Sequence, residues 1–325
     1  MFARTSTVGT RVPAGVTPPS QIVPLRHPGR TASAIVVLLL AFGLGWSLLT
    51  NPGFGWPTVL HYLFNQKILD GLKTTLILTF SAESLGIVFG VVLAACRMSQ
   101  NRVLSTVAGA YLWFFRGTPL LVQLVFWYNL SALYPRIALG IPFTHHVFWS
   151  ANTNDVLSLW LVAILGLTLN ESAYMAEIVR GGLLSVPRHQ AEAASALGMS
   201  RFGTFTRIVL PQALRVIVPP TGNQAIGMLK SSALVSVIAL ADLLYSAQLI
   251  YAMNFQTIPL LVVVSLWYLV WTTVLSSIQS RIERHYGRGV HASVAPTGVQ
   301  WRKAMEGVRA GVAMRATLRA GGERA

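Results

Sequence analysis

PRHQAEAASALGMSRFGTFTRIVLP, residues 187–211, is the stretch on which the reading of this chain turns. It lies between two charge-free runs, 156–170 and 216–229, and is long for a connection between helices, most of which span only a few residues. Gln190–Leu197 is made of good helix formers, and Gly198 can end that helix by taking a left-handed backbone conformation. Arg201–Ile208 resumes a helical pattern, which Pro211 is expected to stop. Ala191, Ala193, Ala194 and Ala196 let another surface come close, and Glu192 is the one acid. The spacing predicts a compact helix–turn–helix with a small-residue docking surface.

Outward from this loop the chain is apolar. Of 325 residues 53% are hydrophobic and only 11% charged, against about 25% in a typical soluble domain. Mean hydropathy is +0.57, yet Lys and Arg number 25 against 10 Asp and Glu, a net charge of +15. Disordered chains are not this apolar, and nucleic-acid binders with such an excess are hydrophilic and densely basic. Long segments without Asp, Glu, Lys or Arg cover 31–66, 117–135, 156–170, 216–229 and 243–280. A membrane helix needs about 20 mostly apolar residues. Six spans are expected: Ala34–Leu49, Leu69–Cys96, Val103–Tyr134 interrupted at Arg116-Gly117-Thr118-Pro119, Val156–Val179, Gln212–Leu229 with a kink at Pro219-Pro220, and Ile258–Ile278. The apolar piece Ser231–Asn254 reads as a short helix with a re-entrant or interfacial turn. A signal peptide competes for the first span, but no small-x-small cleavage site precedes Asn51-Pro52-Gly53, so an uncleaved helix is expected.

Basic residues set the orientation. They gather before the first span (Arg4, Arg11, Arg26, Arg30), after the second (Arg97, Arg102), around the 187–211 loop (Arg180, Arg188, Arg201, Arg207, Arg215) and in nine positions from Arg281 to Arg324. The alternate loops hold only Lys67 and Arg136. An all-α integral membrane protein with both termini in the cytoplasm fits this bias. The charge orients the chain on membrane lipids and calls for no nucleic acid. Residues 1–31 are read as a disordered cytoplasmic tail and 287–325 as a basic cytoplasmic tail, mostly disordered, in which Val299–Leu318 can form a weak basic helix.

The loop then resembles a family. Glu192-Ala193-Ala194, three residues, Gly198, nine residues, then Ile208-x-Leu210-Pro211 is similar to the EAA loop of ATP-binding-cassette importer permeases, whose pattern fixes seven positions. That family usually has Gly-Gln before the Glu-Ala-Ala, where this chain has His189-Gln190. Phe115–Leu124, Ala173–Gly182, Leu229–Ile238 and Gly71–Thr75 resemble blocks of the polar amino-acid uptake subfamily. The resemblance covers about 68–285 and implies a five-helix type I importer permease core, to which the segment 32–50 adds one N-terminal transmembrane helix. It implies a bacterial cytoplasmic-membrane subunit without an ATPase site. Two ATPase subunits would bind the EAA loops, a second permease subunit (self or similar) would complete the path, and an external solute-binding protein would deliver the substrate. Glu192, Ala193, Ala194, Gly198, Ile208, Leu210 and Pro211 are then the ATPase-coupling residues. ATP and Mg would sit on the partner ATPase, with no cofactor on this chain.

Polar groups inside the spans mark the candidate substrate path, since an ionisable group at the bilayer centre costs about 2.5–3.5 kcal/mol on insertion scales. Arg116 lies between apolar stretches beside Pro119, whose missing N–H leaves a carbonyl one turn earlier without its donor. Two readings stand: a cation near the path, or a structural pair with Glu83 or Glu171. Asn170, Glu171 and Tyr174 share a helix face, and Gln123, with Asn223 and Gln224 after the Pro219-Pro220 kink, is expected to reach the same cavity. Glu177 with Arg180 reads as a structural pair, and Gly86-x3-Gly90 as a close helix-packing site.

Enzymatic chemistry is missing from the pattern. None of the four lysines, Lys67, Lys73, Lys230 and Lys303, follows a glycine, so there is no P-loop. One cysteine, Cys96, forbids a disulfide framework, and His145-His146 lacks a third metal ligand. No metal site is expected. The competing function is an ion- or proton-coupled secondary transporter of a small zwitterion, which Arg116 and Glu171 would suit. Such carriers often show two related halves, and no internal duplication is visible.

Overall fold

The structure is a computed structural model that describes residues 28–140 and 146–286, with the backbone alone at 28–31, 139 and 140. The expectations for residues 1–27, for His145 and for 287–325 fall outside the described residues. The chain divides into two compact units, one ending at Phe54 and one starting at Gly55. In the first, helix α1 (Pro28–Thr50) contains the expected extra span as Ala32–Thr50, ended by Asn51-Pro52.

In the second unit the order is α2 (Trp56–Leu63), α3 (Gln66–Arg97), α4 (Arg102–Gly117), α5 (Leu120–Tyr128), α6 (Leu130–Leu133), β1 (Arg136–Gly140), β2 (Val147–Asn152), α7 (Thr153–Val156), α8 (Leu159–Leu184), α9 (Arg188–Ala196), α10 (Arg201–Thr204), α11 (Leu210–Ser231), α12 (Leu243–Asn254) and α13 (Thr257–Tyr286). Four helices in the described residues are long and apolar enough to cross a membrane: Ala32–Thr50, α3, α8 and α13. The bent pair Arg201–Ile238 and Leu243–Asn254, turned by 46°, makes a fifth if it is one span.

The expected third span, 103–134, is interrupted where its sequence predicts. It is two helices, α4 of 16 residues and α5 of nine, parted at Thr118-Pro119. The fourth span starts later than expected because the Ser158 hydroxyl accepts from the Leu161 N–H at 3.3 Å and caps α8 there, leaving Thr153–Val156 as a separate turn. It runs on past Val179, because Gly182 packs against Ile217 of α11 rather than ending the helix. Pro219 and Pro220 sit inside a continuous α11. Gln279 of α13 donates to the Pro219 carbonyl at 2.9 Å, at the place where Gly222 leaves room for the Gln279 amide.

Between α11 and α12 the chain tightens into a 3-10 segment, Ser232–Ile238, and turns at Ala239, whose φ is +62°. Asp242 then caps α12 by accepting from the Tyr245 N–H at 2.8 Å. This is the short helix and turn expected for 231–254.

The fold is not wholly α-helical. β1 and β2 form an antiparallel pair with Arg136 opposite Asn152 and Leu139 opposite Trp149, in the loop between α6 and α7. Ile137, Val147, Phe148 and Trp149 are β-branched or aromatic and suit an extended pair. This strand pair is a local addition in one loop, and the all-α reading of the fold holds.

The core sits where α3 and α8 cross the other helices. Leu78, Leu124, Leu167 and Ile238 join α3, α5, α8 and the 3-10 segment, while Ile68, Leu243, Leu260 and Val263 join α3, α12 and α13. Large apolar side chains outside these clusters, among them Phe80, Val88, Val92 and Leu269, are exposed, as lipid-facing positions are.

The closest helix contact is α3 on α8. A Cβ on Gly86 would lie 2.7 Å from the Glu171 Cγ, and one on Gly90 would lie 2.5 Å from the Met175 Cβ. Both partners advance by four residues, so the two helices run parallel in this register. Gly86-x3-Gly90 is thus a packing site, as expected, and its partner is α8. Gly90→Val should lower the thermal stability of the detergent-purified protein by the ~1–3 kcal/mol typical of overpacking. Gly181→Ala, where a Cβ meets nothing within 4 Å, should leave the melting midpoint unchanged. Equal midpoints for G90V and wild type would contradict this packing.

Candidate functional site

The site is built around the break between α4 and α5. Thr118 precedes a proline, which disfavours the helical conformation, and it is extended (φ −113°, ψ 143°). Pro119 brings no N–H, so the Phe115 carbonyl loses the donor that a continuous helix would supply from four residues on. Two side-chain amides replace it: Gln123 Nε2 at 3.1 Å and Asn170 Nδ2 at 3.0 Å. Gln123 Nε2 also donates to the Thr118 carbonyl at 3.1 Å and to Thr118 Oγ1 at 2.7 Å. Its Oε1 accepts from Asn170 Nδ2 at 3.2 Å. Gln123 is buried and its amide is committed to the break, so it does not line the cavity beside it. This corrects its expected place on the path. Asn170 does both: it lines the cavity and closes the break from α8.

The cavity has a volume of about 470 Å³. Its walls are the Arg116–Leu120 segment, the Asn170–Glu171–Tyr174 face of α8, and Gln224 with its neighbours on α11. Glu171 is only 4% exposed and accepts from Gln224 Nε2 at 3.1 and 3.4 Å. Tyr174 is exposed, and the Arg116 guanidinium lies 5.6 Å from its ring centroid, within cation–π range. Arg116 pairs with neither Glu83 nor Glu171; its NH1 lies 4.0 Å from Glu177 Oε2. Glu177 is itself held by Arg180 through two bonds, of 3.0 and 2.5 Å, the expected structural pair.

Asn223 is exposed and does not line the cavity; Gln224 does. Successive helix residues turn by about 100°, and Gln224 continues the stripe through Ile217, Thr221 and Met228. That spacing was the available signal for choosing Gln224 over Asn223. Glu83 on α3, 7% exposed, is also a buried carboxylate, as is Asp242 at the start of α12.

The second part of the site is the 187–211 loop. α9 ends in a paired C-terminal motif: Gly198 N–H bonds to the Ser195 carbonyl at 3.0 Å and Met199 N–H to the Ala194 carbonyl at 3.1 Å. Gly198 has φ +76°, the left-handed conformation this motif needs. Ser200 caps α10, accepting from the Gly203 N–H at 3.1 Å. Contrary to expectation, Pro211 does not stop the preceding helix but lies in the first turn of α11. The turn before it, Phe205–Val209, is π-helical, and Leu210 N–H reaches back five residues to the Phe205 carbonyl. A wider turn accommodates the absent N–H of Pro211 without breaking the chain's direction. Ala194 is buried, with α9 resting on the π-helical turn, and Ile208 and Leu210 are half-buried. Glu192, Ala193, Gly198 and Pro211 are exposed, as are Leu197 (83%) and Phe202 (77%) beside them. Among the described residues no group of three His, Cys, Asp or Glu is placed to hold a metal.

Residues 86–288 match the family described as the binding-protein-dependent transport system inner membrane component. The chain belongs to this family. It is a multi-pass membrane subunit of an ABC importer and not an enzyme. It is 46% identical over 274 residues to the arginine transport system permease protein ArgU of Corynebacterium glutamicum, covering 83% of this chain and 84% of that one. It is 34% identical to the glutamine transport system permease protein GlnP of Escherichia coli, covering 70% and 94%. A crystal structure of an amino acid ABC transporter with histidines superposes with a TM-score of 0.59 at 34% identity, over 68% of this chain and 95% of that one. The type I importer fold inferred from the loop is therefore the fold of this permease.

If the amides of Gln123 and Asn170 serve the broken helix, removing either leaves the Phe115 carbonyl one donor, and removing both strands it. Gln123→Leu and Asn170→Leu should each lower stability by about 1–3 kcal/mol, and the double variant by more than the sum, because only then does Phe115 lose its last donor. Thermal unfolding of the purified permease checks this; strictly additive effects would count against a shared acceptor.

Proposed function

We propose that this chain is the translocating subunit of an ATP-driven importer of polar amino acids, with the cavity at the α4–α5 break as its substrate station. The observation that carries the reading is the pairing of opposite charges in one small cavity. Arg116 stands on one wall and the Glu171–Gln224 pair on the other, in about 470 Å³. A zwitterion presents a carboxylate and an ammonium to match. Arg116, Glu171, Tyr174 and Gln224 are the residues that face it, while Asn170 shapes the wall. The relatives named for arginine and glutamine transport support an amino-acid substrate.

The 187–211 loop is the ATPase contact in this reading. Glu192, Ala193 and the apolar Leu197 and Phe202 form the exposed surface, and Ala194, Gly198, Ile208, Leu210 and Pro211 hold its shape. ATP and Mg are bound by the partner ATPase subunits, the external solute-binding protein delivers the amino acid, and a second permease subunit faces this one. Both termini lie in the cytoplasm, with the basic loops. ATP acts through its different affinities for the two states of the assembly, and the loop carries that difference to the spans.

Gly198→Val forces a β-branched residue into a left-handed backbone, a conformation that costs an ordinary residue about 1–2 kcal/mol and a β-branched one more. In vesicles holding the permease, the ATPases and the binding protein, G198V and Glu192→Arg should each cut ATP-dependent uptake at least tenfold. ATP hydrolysis by the isolated ATPase subunits should stay unchanged. Wild-type uptake together with full retention of the ATPases on purification would rule out the coupling role.

A further inference from the structure

A second cavity adjoins the substrate cavity, and the proposed site does not use it. Its volume is about 430 Å³, and Arg116, Gly117 and Tyr174 line both cavities as a common wall. Beyond that wall it is lined by Glu177, Arg97 and Gly109, with Trp113 at its side. Like the first cavity, it offers both signs of charge.

The Arg97 guanidinium is held in place for this role. Arg97 ends α3, but its side chain lies along α4: NH1 donates to the Ser105 carbonyl at 3.2 Å and to Ser105 Oγ at 3.0 Å. A Cβ on Gly109 would lie 3.2 Å from the Arg97 Cζ, so this glycine leaves the room in which the guanidinium lies. Both bonds use NH1, and a guanidinium carries five N–H donors, so others remain for a carboxylate. Glu177 has capacity as well. Arg180 takes one acceptor site on each of its oxygens, and an ionised carboxylate has about four.

The spacing of the two cavities is regular. α3 runs parallel to α8, and α4 returns from α3 after the turn Met98–Asn101, so α4 runs against α8. Along α8, Glu177 lies six residues past Glu171 toward the 187–211 loop, about 9 Å at 1.5 Å per residue. Along α4, Gly109 beside the Arg97 guanidinium lies seven residues before Arg116, about 10 Å in the same direction. The negative and positive poles of the second cavity are thus displaced from those of the first by nearly equal steps.

We infer that the second cavity is an exit station, where Arg97 takes over the substrate carboxylate from Arg116 and Glu177 takes over its ammonium from Glu171. The station engages the two groups that every amino acid carries, so it serves release and not the choice of side chain. Arg97 is its binding residue for the carboxylate, and Gly109 positions Arg97. This rests on the import reading above, with the 187–211 loop in the cytoplasm, and adds a binding site to it.

The test is protection of single cysteines in the detergent-purified permease–ATPase complex, without the solute-binding protein. In a Cys96→Ala background, Trp113→Cys reports the second cavity and Ser231→Cys the first, since each residue lines only that one. A charged methanethiosulfonate reagent labels them, with L-arginine as the protecting probe. L-arginine should slow labelling at both positions. Arg97→Met should raise the concentration that half-protects position 113 by about tenfold or more, the loss of one charged bond. It should leave that at position 231 within about twofold, and Arg97→Lys should recover most of the loss at 113. An Arg97→Met effect on both positions or on neither would show a merely structural Arg97 and overturn the station. Protection at 231 alone, or no labelling at 113 without substrate, would overturn it too and leave the import reading standing. Protection at neither position would overturn the import reading, and the station with it.

Discussion

A backbone carbonyl at membrane depth must have a donor, because hydrocarbon offers none. Pro119 takes the donor away from the Phe115 carbonyl, and much of the site follows from how that loss is met. The helix divides into α4 and α5, and the extended Thr118-Pro119 joint becomes a cavity wall. The amides of Gln123 and Asn170 close on Phe115 and on each other, tying α5 to α8. Irregular backbone inside a membrane is tolerated where it is covered by protein or lines a cavity, and here it does both. Since these two amides are committed, the groups left for a ligand are Arg116, Glu171, Tyr174 and Gln224.

A second constraint is close approach. Gly86 and Gly90 let α3 lie on α8 in a parallel register, and Gly182 and Gly222 let α11 lie on α8 and α13. α11 then connects the two halves of the account. It starts at the π-helical turn on which α9 rests and carries Gln224, about 21 Å further along at 1.5 Å per residue, to the Glu171 carboxylate. One continuous helix thus joins the loop to the cavity. The π-helical turn makes this continuity possible, because it accommodates Pro211 without ending the helix.

The loop and the polar face of α8 were legible from sequence because each depends on local spacing. Gly198 after a helix former predicts a left-handed cap, and Asn170, Glu171 and Tyr174 at three- and four-residue intervals predict one face. The orphaned carbonyl before Pro119 was also legible; its partners were not. Gln123 and Asn170 are 47 residues apart, and a single sequence carries no signal that both amides turn to Phe115. For the same reason one of the two readings of Arg116 pairs it with Glu83 or Glu171, when its guanidinium lies 4.0 Å from Glu177. Asn223 and Gln224 are both candidates in the sequence, and the unbroken α11 turns Gln224 to the cavity. The β1–β2 pair escaped notice because its residues lie in a short loop where apolar side chains read equally well as span ends.

The central claim is that this chain moves an amino acid only when a separate ATPase drives it. Its most direct test is uptake of labelled L-arginine into sealed vesicles. These carry the permease with its ATPase subunits and binding protein, with ATP inside or absent, and are compared with vesicles carrying the permease alone under imposed proton and sodium gradients. The account predicts uptake with the full assembly and ATP, and none with the permease alone under any gradient. Gradient-driven accumulation by the permease alone would contradict it and establish a secondary transporter instead.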